Sequence, residues 1–266
     1  MRYSIFIVTA LVCLCSCKKE VNLNLDDAGP HIVIEGAVTD AAGPYTVKIN
    51  MSVNFKAENT FPPVSGGRVK ISDNEGHSDS LIETSPGVYM TQTMTGKPGN
   101  TYMLSVQLGD TLYTAASTMP FPVPFDSITF RRAGAFGKKN IRAVPNFQDP
   151  PGVKNYYLFN EYLNGVLVTK DIFVFNDRLT DGKYITRDLR NTDDILHEGD
   201  SLEIAMYCID EPIFNYFNQL DQSGGGGGAF NSAAAPANPV SNISNGALGY
   251  FSAHTIRERR TKVHIE

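Results

Sequence analysis

Tryptophan is absent from this 266-residue chain. That removes the ring which in antibody domains packs on the inter-sheet disulfide. Cysteine is almost as scarce, with four residues in all. Cys13, Cys15 and Cys17 crowd the start, and only Cys208 lies further on. Once a leader ending at residue 16 is removed and Cys17 carries lipid, no internal disulfide can form. The fold must stand on apolar burial, for which roughly 235 residues beyond the leader and tether are ample. A basic excess is missing too: 23 Lys and Arg face 28 Asp and Glu, a net charge of −5. Loss of Arg2 with the leader makes it −6 (22 basic against 28 acidic side chains). That balance argues against nucleic acid as a partner. The one basic cluster, Arg257, Arg259, Arg260 and Lys262, reads as a solvated face or a gatekept strand edge.

Catalytic and metal signatures are equally scarce. His31, His77, His197, His254 and His264 are scattered and form no H-E-x-x-H, and no C-x-x-C exists, so zinc has no local support. No G-x-S-x-G elbow marks a hydrolase. Gly224 to Gly228 lacks the trailing Lys-Ser/Thr of a phosphate loop and follows a helix instead of a strand. The expectation is therefore no metal, no cofactor and no enzyme.

Ser4 to Cys15 is almost wholly apolar behind Arg2. It is shorter than the about 20 residues a membrane-spanning helix needs, but it suits an export leader. The run ends in Leu14-Cys15-Ser16-Cys17, a lipobox, so Cys17 is expected to be the first mature residue and to carry acyl (palmitate) chains. Stable anchoring takes at least two such chains. Residues 17–30 read as a lipidated tether. Lys18 directly after the cysteine, in place of aspartate, favours the outer membrane, with surface exposure expected and the periplasmic face as the alternative.

Beyond the tether the pattern has period 2, which argues strands. Tyr45, Val47, Ile49, Met51 and Val53 alternate with Thr46, Lys48, Asn50 and Ser52. His31 to Val38 is a more buried strand before them, and Asp40 to Pro44 the turn between. Val69 to Ser72 and Val88 to Thr93 follow. Tyr102, Leu104, Val106 and Leu108 share one face of the next strand, and Gly109-Asp110 turns the chain into Thr111 to Ser117. This spacing predicts an immunoglobulin-like sandwich over residues 31–119. The prolines of Met119 to Pro124 favour a stiff, extended segment, so residues 120–125 read as a linker.

A second β domain is predicted over residues 126–266, again sandwich-like. Its strands are Ser127 to Arg131, Asn155 to Leu163, Val166 to Lys170, Asp171 to Phe175, Tyr184 to Leu189 and Leu202 to Ile209. Asn164-Gly165 is a type I′ hairpin signal. Leu202, Ile204, Met206 and Cys208 share a face, which makes Cys208 a small buried hydrophobe instead of a reactive thiol. From Glu211-Pro212 the period changes: Ile213, Phe214, Tyr216, Phe217 and Leu220 recur at helical spacing. Residues 224–246 form a long glycine-rich loop, and Tyr250 to Ile256 and Thr261 to Ile265 read as two closing strands.

Asp177, Asp181 and Gly182 in FNDRLTDG hold part of a calcium-loop pattern, but the composition favours a capped turn. Asp193-Asp194 and Glu198-Gly199-Asp200 are turn chemistry as well. Asp79-Ser80-Leu81, Asp110-Thr111-Leu112, Asp126-Ser127-Ile128 and Asp200-Ser201-Leu202 resemble an O-glycosylation acceptor pattern.

CKKEVNLNLDD after the lipobox, HIVIEGAV, GNTYMLSVQLGDTLYTAASTMPFPVPFDSI, FNDRLTDGKYI, LHEGDSLEIAMYCIDEPIFNYFNQL and NPVSNISNGALGYFSA together resemble one family. It is the Bacteroidota lipoprotein family known as domain of unknown function 4249. The resemblance implies a lipoprotein of the outer membrane or cell surface that partners a TonB-dependent transporter, and it brings no catalytic residues. The expected function is thus a non-catalytic accessory in substrate capture, with Phe230, Tyr250 and Phe251 as candidate contact residues. Two other readings stay open: an adhesive or structural envelope lipoprotein without a small ligand, and a carbohydrate-active hydrolase, whose carboxylate pair would be spatial and not sequential.

Overall fold

The computed structural model describes residues 29–53, 60–133, 140–168, 171–189, 196–223 and 238–264. Within them the alternating pattern becomes three sheets. Four strands, β4 (Ser78–Ser80), β3 (Arg68–Asp73), β7 (Thr101–Leu108) and β8 (Thr111–Thr118), pair in that order. Three more, β14 (Tyr184–Thr186), β10 (Asn140–Gln148) and β9 (Ser127–Ala133), form a second sheet. The remaining nine build one long sheet. Its order is β12 (Val166–Leu167), β11 (Tyr156–Leu163), β15 (Ser201–Ile209), β16 (Leu248–Lys262), β1 (Ile32–Thr39), β2 (Thr46–Met51), β6 (Val88–Met90), β5 (Ile82–Ser85), with β13 (Phe173–Asn176) also on β11.

β16 makes the long sheet continuous. Its first half runs parallel to β1, from Val33↔Leu248 to Thr39↔His254. Its second half runs antiparallel to β15, from Cys208↔Thr255 to Ser201↔Lys262. The close approach to β1 depends on Gly249, which has φ +88°; a Cβ there would lie 2.1 Å from the Ile34 carbonyl oxygen. Only glycine meets both conditions without strain.

Because side chains alternate across a strand, this sheet presents two faces. On the inner face, Ile34, Val47, Ile49, Tyr89 and Phe251 close a core with Val69, Ile71, Tyr102 and Leu104 of the four-stranded sheet. Further along the same face, Tyr157, Phe159, Leu202, Ile204, Met206 and Cys208 close a second core with Phe147, Ala143 and Ile185. The result is two sandwiches that share one sheet. The expected all-β architecture with a single short helix is what the described residues show. The first core also draws Ile243, Ala247 and Ala253 from the far end of the chain. Val123 and Phe125, in the proline-rich segment, are buried in the second core.

The outer face carries the helix α1 (Glu211–Ser223). Asp210 caps it: its Oδ1 accepts from the Ile213 amide at 3.3 Å, while Oδ2 accepts from Ser117 Oγ at 2.7 Å and from the Thr118 amide at 3.0 Å. One carboxylate thus serves the helix N-terminus and the end of β8 together. Ile213 and Phe214 are buried, and Tyr156, Leu158, Tyr207, Phe217 and Tyr250 pack around them.

Several local expectations change. The two closing strands are one, β16. The basic cluster lies on the half of β16 that pairs with β15, where Arg259, Arg260 and Lys262 are exposed as a solvated face; Arg257 pairs with Asp40 at 2.7 Å and Arg260 with Glu203. β10 was not anticipated. The stretch from 238 to 246 is the expected loop, and it is pinned to the sheets: Asn242 donates to the Ala116 and Phe251 carbonyls, and the Phe251 amide donates back to it. Asn164 (φ 50°) and Gly165 (φ 83°) form the predicted I′ turn.

Candidate functional site

The outer face of the shared sheet is not fully covered by α1. Beside the helix lies a groove of about 330 Å³. Its floor comes from four neighbouring strands: Ala37 of β1, Leu158 and Asn160 of β11, Tyr207 and Ile209 of β15, and Tyr250, Ser252 and His254 of β16. Ile213 and Phe217 of α1 form one wall, and residues 167, 168, 171 and 172, around the start of β13, form the other. The register explains the assembly. Residues whose neighbours point into the two cores must themselves point outward, so Tyr207 sits between the buried Met206 and Cys208, and Ser252 between Phe251 and Ala253.

The polar groups of the groove are held in place. Asn160 Nδ2 donates to the Tyr207 hydroxyl at 3.2 Å. Ser252 Oγ lies 2.9 Å from His254 Nδ1, and the Tyr207 and His254 rings meet edge to face at 5.1 Å. Tyr250 packs on Phe217 at 5.0 Å and on Tyr216 at 5.2 Å.

Burial governs the titration here, because a low-dielectric setting disfavours the charged form. It holds the His254 imidazole down at about 4, against the weaker pull of Asp40. It pushes the Tyr250 phenol up to about 12, with the charge of Glu35 adding to the effect. Tyr207 is raised by burial as well. Among the described lining residues there is no Lys or Arg, and Asp171 is the only carboxylate.

Of the candidate contact residues, Tyr250 lines this groove. Phe251 is a correction: it is fully buried in the first core and offers no surface. Phe230 lies outside the described residues, as do Cys17, most of the tether and Asp193-Asp194. Asn160, Tyr207, Ser252 and His254 were not anticipated. Their signal was available only as the polar phase of strands read for their apolar phase.

Two clusters could hold a cation by geometry alone. Asp149, Asp177 and Asp181 each bring a carboxylate oxygen within 4.8 Å of the others, as do Asp73, Glu75 and His77 with one ligand atom each. In the first, however, the carboxylates are at work in turns. Asp149 accepts from the Tyr157 hydroxyl and the Gly182 amide, Asp177 from the Asn155 amide, and Asp181 from the Gly152 amide. Burial raises the Asp149 carboxyl above its ordinary range. In the second, Asp73 accepts from the Glu75 and His77 amides. Both clusters brace turns, and FNDRLTDG carries the turn chemistry that its composition suggested. Asp200 likewise accepts from the His197 amide at 2.9 Å. The hydroxyls of the four acceptor-like triplets, Ser80, Thr111, Ser127 and Ser201, all belong to exposed residues.

The class these features define is an all-β, double-sandwich protein with a groove on the outer face of its shared sheet. Within that class the chain belongs to the family described as Domain of unknown function (DUF4249), which matches residues 18–260. No curated protein matches it. The family description names no activity.

Proposed function

We propose that this protein is a lipid-anchored binding protein of the bacterial outer membrane, non-catalytic, which assists a TonB-dependent transporter in substrate capture. The groove is the observation that carries the binding part of the reading. Pockets that recognise small ligands are concave and largely apolar, with a few fixed polar groups, and the Leu158, Ile209, Phe217 and Tyr250 surface with Asn160, Ser252 and His254 has that composition. The lipobox ending at Cys17 supports the anchor, and Lys18 supports the outer membrane. Burial keeps His254 and the two tyrosines uncharged, which suits them to hydrogen bonding more than to proton transfer near neutral pH.

The reading is tested by pull-down of the tagged full chain from outer membranes in mild detergent. A transporter is expected in the eluate from wild type and is expected to be lost from membranes of a Cys17→Ser strain, in which the protein washes off. A wild-type eluate without a transporter, or a Cys17→Ser protein that still partitions with lipid, overturns it.

A further inference from the structure

We propose that the groove beside α1 binds a single uncharged pyranose ring, its apolar face against Tyr250 and Phe217 and its hydroxyls on Asn160, Ser252 and His254. This inference rests on the binding reading above and gives it a ligand class.

Three properties of the groove lead there. The first is charge. Phosphates, carboxylates and sulfates are recognised by Arg or Lys forks and helix N-termini, and no Arg or Lys is among the described lining residues. The α1 residues that line the groove are Ile213 and Phe217, and the Ile213 amide is already taken by Asp210. An organic cation finds one carboxylate, Asp171, which already has a partner of its own. An uncharged ligand is the one that the described lining suits.

The second property is size. A volume of about 330 Å³ stands at the low end of the range for small-molecule sites, roughly 300–1,000 Å³. One ring with its substituents fits, and an extended oligomer does not.

The third is the distribution of polarity. The rings of Tyr250 and Phe217 supply an apolar surface at one end, with the sheet residues Leu158 and Ile209 as floor. Asn160 on β11 faces the groove from one side of β15, and Ser252 and His254 on β16 from the other, with Ser252 on His254 Nδ1, which leaves Nε2 for a ligand. A simple aromatic ring would satisfy the apolar end and make no use of the hydrogen-bonding capacity that Asn160 and His254 have beyond their bonds to Tyr207 and Ser252. A pyranose meets both needs, since its axial C–H groups form an apolar face while its hydroxyls radiate around the edge as paired donors and acceptors. The amide of Asn160 offers a donor and an acceptor, and Nε2 of the neutral His254 imidazole offers one or the other according to its tautomer.

Saturation-transfer NMR on the full-length protein in detergent micelles tests this. The probes are methyl glucoside, methyl galactoside and methyl mannoside, with glucuronate, choline and p-cresol as charged and aromatic comparators. At least one neutral pyranoside is expected to bind, with transfer strongest at the ring protons of one face. Tyr250→Ala is expected to weaken it about 10-fold, which corresponds to about 1.4 kcal/mol, while Tyr250→Phe keeps the ring and the affinity. Asn160→Ala is expected to weaken it as well. If no neutral pyranoside binds at tens of millimolar, or if p-cresol alone binds, or if binding is unmoved by Tyr250→Ala and Asn160→Ala, the inference falls. A transporter that still co-purifies in that event leaves the accessory role standing. Pyranoside binding without a transporter removes that role and leaves this inference intact.

Discussion

His254 is the residue at which burial, hydrogen bonding and the groove meet. Its imidazole packs on Tyr207, bonds Ser252 and is held near 4 by burial. An unfolded histidine titrates at about 6.5, so in the window between those values the unfolded chain binds a proton that the folded chain refuses. Stability from this group is therefore complete above about pH 6.5 and is lost as pH falls toward 4. Replacing His254 by Gln removes the dependence. Relative to wild type, His254→Gln is expected to gain up to roughly 2 kcal/mol between neutral pH and pH 4, after discount for the partial exposure of the ring. Urea denaturation at several pH values across this range reads the difference directly. A wild-type-minus-variant difference that stays flat with pH refutes the assignment.

Among the elements, the segment from residue 239 to 246 does unexpected work. Strand β8 is an edge of its sheet, and edges expose unpaired backbone groups. Here Asn242 bonds the Ala116 carbonyl at 3.1 Å, Ser244 exchanges bonds with Thr114, and Asn245 bonds the Leu112 carbonyl. Side chains and main chain of the NISN run occupy acceptors and donors of the edge while Asn242 also holds β16. Asn242→Ala is expected to cost about 1–3 kcal/mol and to speed amide hydrogen exchange in β8 and around Phe251, with β11 unaffected. Equal acceleration throughout would show that the segment is no local clasp.

The strands and helix that announced themselves in the sequence did so through clean periodicity. β2, β7 and β15 alternate, α1 follows Pro212 at helical spacing, and Asn164-Gly165 sits in the left-handed region it prefers. β10 stayed hidden because Ala143 to Phe147 is buried at every position and contains Pro145, so no period-2 signal exists. β16 was cut in two because the charges of Arg257 to Arg260 interrupt its apolar phase. The clasp escaped because its bonds run from side chains to a backbone more than a hundred residues away. The groove was legible only at Tyr250. Its other walls come from residues 37, 158–168, 171–172 and 207–217, and nothing in one strand tells which distant strand lies beside it.

At the scale of the whole molecule, the two sandwiches are not independent. They share β16: its Phe251 and Ala253 belong to the first core, its second half pairs with β15, and Val263, directly after it, belongs to the second core. Loss of β15 pairing leaves half of β16 without a partner, and loss of β1 pairing leaves the other half. Scanning calorimetry is therefore expected to give one unfolding transition, with calorimetric and van't Hoff enthalpies in agreement. Two resolved peaks would mean that the sandwiches fold separately.

The place of β1 has a mechanical consequence. The chain enters the sheet at Ile32, and β1 is flanked by β2 on one side and β16 on the other. Tension arriving along the preceding segment acts along the axis of an interior strand, so it loads two ladders of hydrogen bonds at once, in shear. No strand can be peeled away bond by bond. A protein held by its leading end can in this way be tugged by its surroundings without coming undone at the point of attachment.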